Sequence, residues 1–581
     1  MSAVSPFSTM EALARQAPDA PIAVVGDHTW SRRDLATQTR LLARILAAHG
    51  VGRGDRVCVV RRNSVLHLSA FLACTRLGAI LVPVNSRLAT AECGRILDDC
   101  SPRVVLCGPR HAEQFDAALT PAPSACWIVD DDDPAAGPPP GQLTPAWLRL
   151  SALIEEAQDA QEDPVPAPLG TDDVLMLQYT SGSTGAPRGV RQTVGNLCAS
   201  WDATRTVLGL GDREVVLSIA PFGHVGGLNT LTLQVLLAGG LVVIQRQFDV
   251  PTVLAQIEQY GVTATFGVPT MYQAIVDDAE FATRRLSTLR TAIIGGAPVP
   301  PQLAEILIDR GIGVVVSWGM TELTGGGAYL PTALLRLHPT SVGFPSPGLE
   351  ARVASTLTGR TAPTDTIGEL WVRGPIVSPG YWGAAGGPED IARGGWFRTG
   401  DLARMDAEGL IHLAGRSKDL IISGGENIRP AEIELLAGTH PAVASVCVVG
   451  APDPLWGEMP VAVVEAVPGM TPPTLSELRA HLEPHLARFK LPRRLILVEE
   501  MPLGATGKID RSRLRELARD LTPRREGRSP QSSRPAASAP DAARAGSPGS
   551  PSEGAEGPSK SSTRPASVSQ GATTRSTRAS A

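Results

Sequence analysis

What this 581-residue chain lacks narrows the field first. Its eight cysteines, Cys58, Cys74, Cys93, Cys100, Cys107, Cys126, Cys198 and Cys447, form no CxxC pair, and no histidine cluster stands at metal-ligand spacing. They read as free, mostly buried thiols, which argues against a disulfide-stapled secreted domain or a zinc module and for the cytoplasm. No apolar run approaches the roughly 18 residues of a membrane span. The opening MSAVSPFSTMEALARQ has no basic segment followed by an apolar core, so neither a secretory leader nor a membrane anchor is expected. The folded region has no basic block and the net charge is -5, so a nucleic-acid partner is not expected either.

What is present is ordinary for a soluble enzyme: 43% hydrophobic and 19% charged residues, ample for a core. At about 150 residues per domain the length allows some four domains, or a large one, a small one and a tail. Apolar β-branched runs alternate with helical patterns: DRVCVV then HLSAFLACTRLGA, REVVLSIAP, GGLVVIQ, PTVLAQIEQYGV, TATFGV, LRTAIIGG, PQLAEILIDRGI, GVVVSW. This alternation predicts layered α/β structure, with ligands bound in the glycine-containing loops that follow strands. Within PTVLAQIEQYGV, Pro251 suits a first helical turn, Val253, Leu254 and Ile257 share a face, and Gly261 suits the stop. From Thr522 to the end large apolar residues almost vanish, and the spacing predicts a disordered tail over 522–581.

The first chemical signal is DVLMLQYTSGSTGAPRGV. A strand over Val174 to Tyr179 opens into a loop of small residues, Thr180, Ser181, Gly182, Ser183, Thr184 and Gly185, and ends at Arg188. Small residues let backbone N–H groups approach an anion, hydroxyls add donors and the guanidinium adds charge, so phosphate binding is expected. It is not a Walker loop, because no GK[ST] closes it.

YTSGSTGAPRGV resembles the phosphate-loop signature of the adenylate-forming superfamily of acyl-CoA synthetases, aryl-CoA ligases, luciferases and adenylation domains. Further motifs follow in that family's order: APFGHVGG, GGAP, WGMTE, GELWVRGP, WFRTGDLA, GRSKDLIISGGENIRPAEIE and ATGKIDRSRLR. With GDRVCVV and LGAILVPVN near the start, they cover about residues 8 to 521. The resemblance implies a large domain over residues 1–415, a small mobile α+β domain over 416–521, and an ATP-dependent acid–thiol ligase that passes an acyl-AMP to CoA.

The same resemblance assigns roles. Glu322, with Thr180, would hold Mg²⁺, a hard ion suited to oxygen ligands. Asp401 would accept from both ribose hydroxyls, Arg416 would contact ribose or phosphate, and the backbone of Gly295, Gly296, Ala297 and Pro298 would pack on adenine, beside Trp318, Gly319, Met320 and Thr321. Lys508 matches the adenylation lysine, Lys418 the interdomain hinge, Gly424 and Gly425 the path of the CoA arm, and His224 the border between acyl pocket and thiol path. The chain departs from the family pattern at Arg188 (usually Lys), Val194 (often His), Ser317 (often Gly), Trp318 (more often Tyr), Arg429 (usually aromatic) and Leu503–Gly504 (an Arg-containing pair elsewhere).

Ser317 and Trp318 are expected to form the acyl-pocket floor and favour a compact acid, while Gly226, Gly227, Gly325, Gly326 and Gly327 are expected to leave space. An aryl or short-to-medium aliphatic acid follows. Alternative acceptors within the family are a carrier-protein thiol acting in trans or an amine, an alternative acid is nitrite, and a non-catalytic nucleotide-binding protein is the reading from another class. A monomer or homodimer is expected.

Overall fold

The computed structural model describes residues 5–117, 124–131, 147–160, 162–181, 187–383, 391–392, 394–416, 419–423, 426–453 and 456–520. All of them fall within one compact unit of the chain, 1–523. The predicted disordered tail lies outside the described residues.

Two twisted sheets carry the large domain. One has nine strands and a parallel centre in the order Thr291–Gly295, Ala264–Gly267, Val215–Ser218, Leu241–Ile244 and Pro21–Val25; Val314–Met320 continues it in parallel, and Gly325–Leu330 folds back antiparallel. The other has seven strands, parallel from Trp147–Arg149 through to Val174–Ser181, and ends in the antiparallel hairpin of Val174–Ser181 with Pro187–Thr193. Parallel strands buried on both faces read as continuous apolar runs, which is why DRVCVV and LRTAIIG carry no alternation. One apolar core joins the sheets, with Val57, Leu81 and Leu106 from one and Val216, Val242 and Ile293 from the other. Helix Val65–Leu77 is buried along its whole length, as a helix apolar on all sides must be.

The helix read from PTVLAQIEQYGV forms as Val250–Tyr260, capped by the Asp249 carboxylate on the Thr252 N–H and closed by Gly261 at φ +62°, with Val253, Leu254 and Ile257 buried. A five-stranded antiparallel sheet follows, built on Gly368–Arg373 and Trp396–Met405 and ending in Ile411–Arg416. The smaller C-terminal domain packs helices Pro430–Ala437, Leu475–Leu482 and Arg511–Asp520 on a sheet whose long hairpin is Val443–Asp453 with Gly457–Ala466. The expected α/β layering is observed. The loops after Ser218, Gly295 and Met320 all leave the carboxyl ends of parallel strands of this sheet, the position where such sheets bind ligands.

Candidate active site

Lys508 reaches this end of the sheet from the C-terminal domain. It sits in a tight loop closed by the Gly504 N–H on the Lys508 carbonyl (2.7 Å) and flanked by a bridge between Leu503 and Ile509. Two side chains of the large domain hold the loop: the Asn85 amide donates to the Ala505 carbonyl (3.2 Å) and the Thr270 hydroxyl to the Gly507 carbonyl (3.0 Å). The lysine then lies across Gly296, where a Cβ would stand 2.9 Å from Lys508 Cε, and Gly296 itself has φ +85°. The left-handed φ favours glycine, and its bare Cα lets the lysine lie against the backbone of GGAP.

Crowding by the cleft walls lowers the Lys508 ammonium to about 8; the Arg416 guanidinium adds to the fall and the Asp401 carboxylate opposes it. The side chain nevertheless keeps partial contact with solvent. His224 is pushed down to about 3, first by desolvation and then by the Lys508 charge. It is therefore a neutral imidazole at physiological pH. Its Nδ1 accepts the Gly226 N–H (3.3 Å) and caps the short helix Val225–Leu228, which leaves Nε2 as the donor.

Asp401 is 5% exposed and bound on both oxygens: Arg416 Nε lies 3.0 Å from Oδ1, and the Trp318 indole N–H donates to Oδ2 at 2.9 Å. Each carboxylate oxygen retains a second lone pair for a ribose hydroxyl. The Trp318 ring is 6% exposed and packs with Leu323, Val353, Leu370 and Phe397, against Gly327, so it holds Asp401 from the apolar layer beneath.

Glu322 is held by the Tyr381 hydroxyl on Oε1 (2.8 Å), and the Arg188 guanidinium stacks 5.2 Å from the centre of the Tyr381 ring. Arg188 pairs in register with Thr180 across the hairpin, so the base of the phosphate loop and Glu322 meet through Tyr381. Beneath them runs a chain of buried amides: Asn229 donates to Gln192 Oε1 (2.8 Å), and Gln192 donates to Gln178 Oε1 (3.1 Å) and to the Thr321 carbonyl (3.4 Å). It ties the hairpin, the turn that carries Glu322 and the helix after His224 into one body. Sequence reasoning missed Tyr381, Asn85, Thr270 and these amides. The residue pair GY after GELWVRGP was a signal for Tyr381; nothing local marks the others.

As metal ligands, Thr180 and Glu322 offer hard oxygens, and among the described residues no cluster of three His, Cys, Asp or Glu exists to trap a metal by itself. That donor set fits Mg²⁺ shared with phosphate oxygens and fits no soft metal. Gly182, Ser183, Thr184, Gly185, Lys418, Gly424 and Gly425, and the side chain of Ser181, lie outside the described residues.

The glycines expected to leave acyl space have close neighbours. A Cβ on Gly226 would stand 2.3 Å from the Phe266 ring, one on Gly326 2.1 Å from the Tyr329 hydroxyl, and one on Gly327 2.5 Å from Leu323; Gly227 abuts the Pro221 and Ala220 carbonyls, and Gly325 faces the Ser200 hydroxyl at 3.3 Å. These glycines are small because their neighbours are already in the way.

Fold and site together have the layout of an adenylate-forming ligase, with a nucleotide cleft in a large α/β domain and a lysine delivered to it by a small one. The chain belongs to the AMP-binding enzyme family: the family's model matches residues 10–382 and the model of its C-terminal domain residues 432–508. It is 38% identical to a feruloyl-CoA synthase of an Amycolatopsis species over 86% of this chain and 96% of that one. To an indoleacetate–CoA ligase of Aromatoleum aromaticum it is 36% identical, over 84% and 93%. Among solved structures it is similar to the o-succinylbenzoate CoA synthetase of Bacillus subtilis in complex with its acyl-adenylate intermediate, with a TM-score of 0.75, 28% identity, and 90% and 99% of the two chains covered. No helix among the described residues is long and apolar enough to cross a membrane.

Proposed function

We propose that this enzyme activates an aryl or short-to-medium aliphatic acid with ATP and transfers it to CoA. A carboxylate oxygen attacks the α-phosphorus, an O–P bond forms, the bond to the β-phosphate oxygen breaks and pyrophosphate leaves. The CoA sulfur then attacks the acyl carbon, AMP departs with the bonding pair, and the thiol proton passes to solvent.

The observation that carries this reading is the position of Lys508 across Gly296, beside Arg416 and Asp401, at the carboxyl ends of the parallel strands. A cation held there can bridge the acid and the α-phosphate as charge develops, and positioning with electrostatic stabilisation is most of what such a reaction requires. Asp401 and Arg416 orient the ribose, residues of the Thr180 to Arg188 segment would bind the phosphates, and neutral His224 walls the site without adding charge. Glu322 with Thr180 would hold Mg²⁺, which supplies charge neutralisation to the phosphates when bound. Residues 416–521 would swing about Lys418 between half-reactions, and Gly424 and Gly425 would admit the CoA arm in the second. The enzyme would work in the cytoplasm.

The test is pyrophosphate release across aliphatic, aryl and amino acids, with and without CoA. Release with at least one acid, and a thioester only when CoA is present, is expected. Adenylation that never consumes CoA would move the acceptor to a carrier thiol or an amine.

A further inference from the structure

One short segment of the chain, Ser378 to Trp382, grips Glu322 at both its backbone and its side chain. The Ser378 N–H donates to the Glu322 carbonyl (2.8 Å), and the Tyr381 hydroxyl donates to the Glu322 carboxylate (2.8 Å). The same segment is stitched to the outer strand of the phosphate hairpin. The Arg191 N–H donates to the Gly380 carbonyl (3.0 Å), the Trp382 N–H to the Gly189 carbonyl (2.7 Å) and the Ser378 hydroxyl to the Arg191 carbonyl (2.6 Å). Tyr381 is buried, bridges Val190 through its backbone, and takes the Arg188 guanidinium on its ring face at 5.2 Å. One phenol therefore meets a cation with its face and a carboxylate with its hydroxyl. Beyond it Trp382 packs on the apolar layer of the seven-stranded sheet, with the Arg56 guanidinium 5.4 Å from its ring, which anchors the far end of the segment.

We propose that Tyr381 is a positioning residue for the metal-binding acid: it aims the Glu322 carboxylate, and through Arg188 it keeps that aim in register with the phosphate hairpin. The inference rests on the reading of Glu322 as a Mg²⁺ ligand given above. Mg²⁺ demands near-ideal octahedral geometry, so a carboxylate free to rotate is a poor ligand for it even when its charge is unchanged. A hydrogen bond from a ring that is bridged to Val190 and covered by Arg188 restricts that rotation.

The test uses the full-length enzyme with Tyr381→Phe, which keeps the ring and its stacking face and removes the hydroxyl. Partners that orient a metal ligand typically contribute about 10- to 100-fold in metal affinity or activity. The Mg²⁺ concentration for half-maximal pyrophosphate release should therefore rise about 10- to 100-fold, and the melting shift produced by ATP should need correspondingly more Mg²⁺. The melting shift produced by ATP in EDTA should stay as in the parent, a split that a general loss of packing does not produce. Glu322→Gln and the double variant Glu322→Gln/Tyr381→Phe complete the set. A residue that acts through Glu322 has nothing further to lose once the carboxylate is gone, so these two should share one Mg²⁺ requirement within about twofold. That comparison stands even if Tyr381→Phe alone does not fold. A Mg²⁺ requirement within about twofold of the parent in Tyr381→Phe, or a further loss of about 10-fold in the double variant, overturns the proposal. Mg²⁺-dependent ATP binding that moves with Tyr381, in an enzyme that releases no pyrophosphate with any acid, would overturn the reaction and keep the positioning role.

Discussion

Two regions of the molecule are built on opposite principles. At the nucleotide end each functional group is fixed by a partner: Asp401 by Trp318 and Arg416, Glu322 by Tyr381, the Lys508 loop by Asn85 and Thr270. Around Gly226 and Gly326 shape is set largely by rings pressed against glycines, Phe266 on Gly226 and Tyr329 on Gly326, with the Tyr329 hydroxyl hydrogen-bonded to Thr204. The groups proposed to carry the chemistry are held by directional bonds. The glycine-lined region is held by volume, which changes with one substitution and leaves the rest intact.

The largest expected effect breaks the nucleotide end outright. Lys508→Ala should slow acyl-AMP formation about 10²- to 10³-fold, the usual loss when a charge aimed at a transition state is removed, while thioester formation from supplied acyl-AMP survives. Lys418→Pro should do the reverse, because a fixed φ at a hinge can permit one orientation and obstruct the other. Pyrophosphate release and thioester production from synthetic acyl-AMP measure the two halves separately. Equal loss of the same half by both variants would sink the alternation of domains.

Next in size is Trp318→Phe, which keeps the ring and removes the donor to a buried carboxylate. An unsatisfied buried partner costs about 1–3 kcal/mol, so KM for ATP should rise roughly 5- to 100-fold. The ratio of kcat/KM between a short and a long acid should not move. A change in acid preference without a change in ATP affinity would place Trp318 in the acyl pocket.

A smaller effect is read against pH. Lys508 acts as a cation, and its lowered value of about 8 means that activity is present below that pH and lost as pH rises through it. The pH profile of kcat/KM for adenylation reports the free enzyme and should carry this limb. Since Arg416 is the second cause of the depression after burial, Arg416→Ala should move the limb to higher pH even as it weakens ATP binding. His224, already neutral, should contribute no limb near 6.5, the usual imidazole value.

The smallest effect belongs to the loop clamps. A hydrogen bond contributes about 0.5–1.5 kcal/mol net, so Asn85→Ala and Thr270→Val should each slow adenylation about 2- to 10-fold and leave thioester formation from supplied acyl-AMP unchanged or faster. Equal slowing of both half-reactions would show that these residues support the fold and not the docking.

The same contrast explains what could be read from the chain beforehand. The α/β layering was legible, and Glu322, Asp401, Arg416 and Lys508 could be singled out as candidates, because each lies in a short motif whose residue types suit one task. The supports were not, because a support is a relation between distant positions: Trp318 with Asp401, Asn85 with Ala505, Phe266 with Gly226. A run such as FGHVGG announces that something comes close to its glycines, but only the fold says that it is a phenylalanine from another strand. The indole of Trp318 is a case in point: which face it takes depends on the second sheet that Leu370 and Phe397 bring over it.

The docked loop has a further consequence. Among the described residues no carboxylate forms an ion pair with the Lys508 ammonium; Arg416 repels it and Asp401, itself paired to Arg416, attracts it only in part, so loop docking brings a cation into a crowded cleft without full compensation. A polyphosphate between them reverses the sign of that interaction. By thermodynamic reciprocity, whatever ATP adds to the affinity of the loop for the cleft, the docked loop adds to the affinity of the cleft for ATP. On the proposed mechanism, departure of pyrophosphate would withdraw most of the negative charge and so would loosen the loop once adenylation has finished. The clamps at Asn85 and Thr270, two ordinary hydrogen bonds to carbonyls, are weak enough for that change of charge to decide whether the loop stays.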